Sequence, residues 1–156
     1  MKKKFLLFFS AGALALSLTA CGGKSDKDVT VDIAKLSSDL QSTITSGGLG
    51  EVSSDILAST YFLDMDQIEE STAALNSGAS ACEVVIVKCK DDSYVSEAED
   101  LFETRVKNQS DLFADYNADE VSKLDEALIE SAGNYVVLCV TDDTKAAESI
   151  LKEAGF

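Results

Sequence analysis

Apolar residues recur along this chain in two different periods. Ile33, Leu36, Leu40 and Ile44 fall at helical spacing within Val31 to Ile44, and Gly47-Gly48 ends the run. Between Leu49 and Asp66 the pattern is mixed, with a short helical turn expected near Ser54 to Ala58. A weak strand near Glu70 to Leu75 leads into an Asn76-Ser77-Gly78 turn, and a strong strand follows over Glu83 to Lys90. Its core, VVIV, is apolar at consecutive positions and therefore on both faces, which predicts a central, covered strand.

Asp92 or Ser93 then stands where a cap belongs, before a long helix reaching about Ala114. Glu97, Glu99 and Asp100 in its first turns, with Arg105 and Lys107 farther along, suit the helix dipole. A second helix is predicted from Ala118 to about Ser131, with Val121, Leu124, Leu128 and Ala132 on one face and a break at Gly133-Asn134. YVVLCVT, residues 135 to 141, reads as a second strong strand. Asp142 or Asp143 caps a last helix carrying Ala147, Ile150, Leu151 and Ala154, with Gly155 at its end. After the N-terminal helix the order is β-β-α-α-β-α. It predicts one α+β domain over residues 31–156, a small three-stranded sheet with helices packed on one or both of its faces, in a two-layer arrangement. Strand order stays open at this level.

The first 20 residues follow another logic. Lys2, Lys3 and Lys4 precede an uncharged run from Phe5 to Leu18. As a helix that run spans only about 21 Å, short of a bilayer core of about 30 Å. A basic start, a short apolar stretch and small residues before a cleavage point read as a secretory signal. Its end, Leu18-Thr19-Ala20-Cys21, looks like a bacterial lipobox, in which Cys21 is acylated and becomes the mature N-terminus. Two acyl chains anchor a protein stably where one does so only marginally. Residues 21–30, opening CGGKSDKD, then form a polar tether. The expected location is the outer face of the cytoplasmic membrane, with the lipid bilayer as a partner through acylated Cys21.

Charge narrows the picture further. The chain carries a net charge of −15, and loss of the three leader lysines leaves ten basic residues against 28 acidic ones. Such a field repels nucleic acid and anionic headgroups. With no histidine in the chain, Ser-His and Cys-His nucleophile pairs, His-containing zinc sites and a histidine switch are excluded.

Little in the remaining pattern points to catalysis. Asp115, Asn117, Asp119 and Glu126 fall at ligand positions of a calcium loop, but Glu120 stands where such a loop needs glycine and Lys123 where a ligand belongs. The same letters read better as a helix start, with Asn117 as cap and Glu120 closing a capping box. Cys82 and Cys89, seven apart on or beside one strand, point to opposite faces and cannot pair. Cys89 with Cys139 would need neighbouring parallel strands, so buried reduced thiols are the expectation. Asp64 with Asp66, Asp91 with Asp92 and Asp142 with Asp143 look like turn and cap residues, and GGLG at 47–50 like a linker. No cofactor and no metal site is called.

One helix breaks its own pattern. Projected at about 100° per residue, Tyr94, Ala98, Leu101, Phe102, Leu112, Phe113 and Tyr116 form an apolar stripe, and Arg105 and Gln109 sit in its middle. An unpaired buried charge is costly. Arg105 is therefore expected to meet a carboxylate at the sheet, with Glu83, Glu69 and Glu70 as candidates. Two readings follow. Either a buried pair fixes the docking of the helix, or Arg105 and Gln109 line a groove for an anionic ligand.

GASACEVVIVKCKD, the helix carrying Arg105, Gln109, Phe113 and Tyr116, and GNYVVLCVTDD together resemble a family of small Gram-positive lipoproteins classed as a domain of unknown function (DUF4358-like), over roughly residues 30 to 154. In that family an aliphatic residue or alanine is more usual where Cys82, Cys89 and Cys139 stand. The resemblance implies location and fold and carries no functional residues over. The functional expectation is a membrane-anchored extracytoplasmic lipoprotein, a non-enzymatic domain that binds an envelope protein or wall component and no nucleic acid. The alternative is an accessory lipoprotein binding a peptide, metal or small solute.

Overall fold

The structure, a computed structural model, describes residues 29–156. The expected signal segment, Cys21 and most of the expected tether lie outside the described residues. Among those described, five helices accompany one open five-stranded antiparallel sheet. No helix among them is long and apolar enough to cross a membrane.

Helix α1, Ile33–Gln41, begins where the Asp32 carboxylate accepts the Lys35 N–H at 2.9 Å and buries Ile33, Leu36 and Leu40. Strand β1, Leu49–Glu51, is short, and helix α2, Ser54–Tyr61, follows it. Strand β2 is Ile68–Asn76 and β3 is Glu83–Cys89. A 3-10 turn over Asp92–Tyr94 leads into helix α3, Val95–Tyr116. Helix α4 is Ala118–Asp125, β4 is Leu128–Ala132 and β5 is Tyr135–Val140. Helix α5, Thr144–Ala154, is capped by Asp143, whose carboxylate accepts the Ala146 N–H at 3.0 Å.

Strand order is β1-β2-β3-β5-β4. The strongly apolar β3 and β5 lie at the centre, as consecutive apolar residues require. Val85, Val87, Cys89, Val136, Leu138 and Val140 pack under α2, α3 and α4. Val84, Ile86, Val137 and Cys139 face the other way, under α1 and α5. The two central strands are thus buried on both sides, and the domain has three layers where two were expected.

Two strands beyond the expected three complete the sheet. The segment read as the second half of a helix is β4, because α4 stops at Asp125. Leu128 and Ala132 suit a helical face, but Leu128, Glu130 and Ala132 also share one face of a strand. Gly133-Asn134 is a two-residue hairpin turn, with Gly133 at φ +55°. The free side of β5 supplies the pairing that decides between the two. Strand β1 has no apolar period and exists through its bonds to β2, Leu49 opposite Asn76 and Glu51 opposite Ala74.

Helix α3 departs from expectation in its details. No side chain caps it, and Asp92 and Ser93 belong to the preceding turn. Tyr94 is buried outside the helix, its hydroxyl accepting the Asp64 N–H at 2.8 Å. Ala98, Phe102 and Phe113 are buried as the stripe predicts, whereas Leu112 and Tyr116 are exposed.

Cys82, Cys89 and Cys139 are free and buried. Cys89 lies on one face, and Cys139 on the other, at opposite ends of antiparallel neighbours. Burial pushes the thiols of Cys89 and Cys139 up to about 11 and about 12.

Candidate functional site

The polar groups of the core gather at one end of the sheet, where β3 begins and β5 ends. Thr43, after α1, and Thr141, after β5, are buried there with hydroxyls 2.6 Å apart. Two charged clusters lie beside them.

The first joins β3 to α3. Glu83, buried with its side chain 4% exposed, accepts two bonds from Arg105, from Nε at 3.2 Å and Nη2 at 2.8 Å. Of the three candidate acids, the structure selects Glu83. Glu69 instead pairs with Lys88 at 3.0 Å, and Glu70 is exposed. The guanidinium carbon also lies 5.4 Å from the centre of the Tyr61 ring. Burial pulls the Arg105 pKa down, but the Glu83 carboxylate outweighs it, and the net shift is upward. Burial raises the Tyr61 phenol far above its ordinary value, and its hydroxyl finds no hydrogen-bond partner among the described residues. Gln109, one turn beyond Arg105, is half-buried and takes no part in the pair.

The second cluster ties four segments together. The Lys123 ammonium lies 2.7 Å from Asp142 Oδ1 and 2.9 Å from Glu120 Oε1. The other Asp142 oxygen accepts the backbone N–H groups of Thr45 at 2.6 Å and Ser46 at 2.8 Å. The other Glu120 oxygen accepts the Ala81 N–H at 2.8 Å and the Ser80 hydroxyl at 3.0 Å. Cys82 Sγ sits among them, 3.5 Å from Ser46 Oγ and 3.7 Å from Asp142 Oδ1. Burial would raise the Asp142 carboxyl, but Lys123 and the two amides hold it well below the usual carboxylate range. Glu120 is lowered against burial by the Ala81 N–H and Lys123. Burial lowers Lys123, and its two carboxylates more than reverse that.

This cluster replaces the expected capping box. Asn117 makes no cap bond and donates instead to the Ala79 carbonyl at 3.1 Å, while Glu120 turns to the 80–81 backbone. The calcium-loop oxygens diverge too, since Glu126 accepts from Thr144 at 3.1 Å and Asp115 and Asp119 are exposed. The spacing of Glu120 and Lys123 was legible as a helical pair. Nothing local marks Asp142 as the second partner of Lys123, although Asp143 alone suffices as the α5 cap and leaves Asp142 free.

Above the second cluster lies a shallow cavity of about 350 Å³, lined by Ser46, Asn76, Ser80, Asn117 and Glu120 and by glycine backbone. Gly48, at φ +81°, brings the chain so close to Asn76 that a Cβ there would lie 3.1 Å from its amide.

Comparison with known proteins adds one finding. Residues 42–141 match the family described as "Domain of unknown function (DUF4358)". That stretch runs from just after α1 to just past the end of β5; it contains Glu83, Arg105, Glu120 and Lys123 and stops one residue short of Asp142. No curated protein and no solved structure matches the chain.

Proposed function

The chain belongs to the DUF4358 family of domains of unknown function, and from there we propose that it is a lipid-anchored envelope domain that binds another protein or a wall component without catalysing a reaction. The observation that carries this reading is the saturation of the polar end. Each buried charge there is already met by an opposite charge or by backbone donors. A general acid or base works best with a pKa near ambient pH. Asp142 is held far below that range and Lys123 far above it, so both stay ionised and serve as fixed ties.

The position of Val29, the first described residue, supports the anchored orientation. Val29 packs beside Gly133, in the β4–β5 turn, and beside Gly155, after α5. The tether therefore leaves from the end of the sheet opposite the polar cluster. Acylation at Cys21 would set that end towards the bilayer and present the polar end outward. Cys21→Ser, read by membrane fractionation, is expected to release the protein from the membrane; retention would refute anchoring. Photo-crosslinking from Ser46 and Asn117 in intact cells is expected to trap a discrete envelope partner, and no adduct from either position would count against the binding role.

The accessory, ligand-binding alternative draws on the shallow cavity, whose hydroxyls, amides and glycine backbone suit a neutral, hydrogen-bonding solute. Arg105 and Gln109 give it no support, because Glu83 already occupies the guanidinium and Gln109 stands apart.

A further inference from the structure

The two edges of the sheet are unlike. Strand β1 has three residues, with Gly50 and Glu51 exposed, and offers little to a partner. Strand β4 has five, and its alternation can be assigned. Ala132 and Tyr135 flank a two-residue turn, so they exchange hydrogen bonds, as do Glu130 with Val137 and Leu128 with Cys139. An independent bond agrees, since the Asn134 carbonyl accepts the Cys89 N–H at 2.8 Å, turning even-numbered residues of this segment towards β3 and odd-numbered ones towards β4. The N–H and C=O groups of Ile129 and Ser131 therefore point outward from the sheet, with no partner among the described residues.

Beside this edge, between α3 and β4, runs a groove of about 330 Å³. Its floor is Val106, Leu124, Ala127 and Ile129, partly or wholly buried members of the core. Its rim carries Glu103, Asp111 and Asp125, with Lys107 held by Asp111 at 2.7 Å. On the opposite face of the same strand, Glu130 is exposed.

We propose that the free edge of β4 and the groove beside it bind an extended peptide of alternating apolar and basic residues, which joins the sheet as a sixth strand. The proposal rests on the binding-domain reading above and supplies its partner class. A residue opposite Ile129 or Ser131 shares their face, so it enters the apolar groove. Its neighbour, opposite Glu130, projects to the other face and meets that carboxylate. Main-chain bonds give such a complex its affinity and alternate side chains its specificity. The acidic rim and the chain's net charge of −15 favour a basic strand over a second copy of this protein.

Amide hydrogen exchange on the full chain in detergent micelles tests this, with acetyl-Val-Lys-Val-Lys-Val-Lys-amide as the probe. At saturating peptide the Ile129 and Ser131 amides are expected to slow by at least about ten-fold, while the Glu130 amide, already bonded to β5, is unchanged. The same peptide with Glu for Lys is expected to give no slowing. Ser131→Pro deletes one outward donor without removing a bond to β5, and proline is tolerated at an edge; it is expected to abolish the effect. Glu130→Lys leaves the backbone intact and is expected to weaken binding at least about three-fold. Unchanged Ile129 and Ser131 amides at millimolar peptide would overturn the proposal. So would protection without peptide that grows with protein concentration, which assigns the edge to a second copy, or that vanishes on deletion of residues 22–28, which assigns it to the tether. Those failures leave the binding-domain reading intact as long as Ser46 or Asn117 still traps a partner in cells.

Discussion

The two charged clusters use carboxylates in opposite ways. Glu83 places nearly its whole hydrogen-bonding demand on one arginine, in an otherwise apolar layer between β3 and α3. Asp142 divides its demand among an ammonium, two backbone amides and a thiol, at the margin of the fold. A buried charge with one partner is left orphaned when that partner goes, whereas a charge with several keeps most of its solvation. Sensitivity to substitution should therefore follow the number of partners per charge more than the number of charges.

The sharpest way to break the comparison is Arg105→Ala. It leaves Glu83 buried and unpaired, and urea unfolding is expected to show a loss of about 3–5 kcal/mol. Adding Glu83→Leu is expected to restore a large part of that loss, because the orphaned charge goes too. Equal losses in the single and double variants would show that packing, not the unpaired carboxylate, sets the cost.

Asp142→Asn should cost less, about 2 kcal/mol, because the amide oxygen still accepts from Thr45 and Ser46 while the charge-assisted bond to Lys123 is lost. Its pH dependence carries a sign. The folded pKa of Asp142 lies below the unfolded value, so the stabilisation is fully present above about pH 4 and declines as pH falls through the folded value. The gap between the native protein and the variant in urea midpoint is therefore expected to stay level from pH 7 to about 5 and to close only in stronger acid. A gap that closes near neutrality would place the proton elsewhere in the cluster.

Tyr61→Phe sharpens the contrast at the small end. The phenol is buried, its ring meets Phe102 edge-on at 5.6 Å, and its hydroxyl finds no partner among the described residues. Removing that oxygen keeps the ring contacts and deletes an unsatisfied group, so stability is expected to rise by up to about 1 kcal/mol in thermal unfolding. A loss of that size would mean that the hydroxyl completes the solvation of Glu83, and the pair would no longer count as singly partnered.

Legibility followed the range of the interactions. Helix α1, strands β3 and β5 and helix α5 were readable because local period and caps agree with the tertiary outcome, as with Asp143 before α5 and Gly155 after it. Residues 128–132 form a strand where the periodicity predicts a helix, because Leu128 and Ala132 satisfy a helical face and a strand face equally, and only the open side of β5 separates the two. Arg105 stood out as a charge within an apolar stripe, and Glu83 was among its named acids. Glu120 reads as the closing residue of a capping box and Lys123 only as a misfit in a calcium loop, because the second carboxylate on Lys123, Asp142, lies at the end of a distant strand.

Sequence alone therefore determined the elements with strong local periodicity, the buried centre of the sheet, the acidic balance and the exclusion of histidine chemistry, all properties of composition or near-neighbour spacing. Tertiary structure decided the two outer strands, the third layer, the choice of Glu83 for Arg105 and the convergence of Asp142, Lys123 and Glu120. Each of these depends on which backbone edge or buried charge another segment leaves unsatisfied, and that is settled only when residues far apart in the chain are packed together.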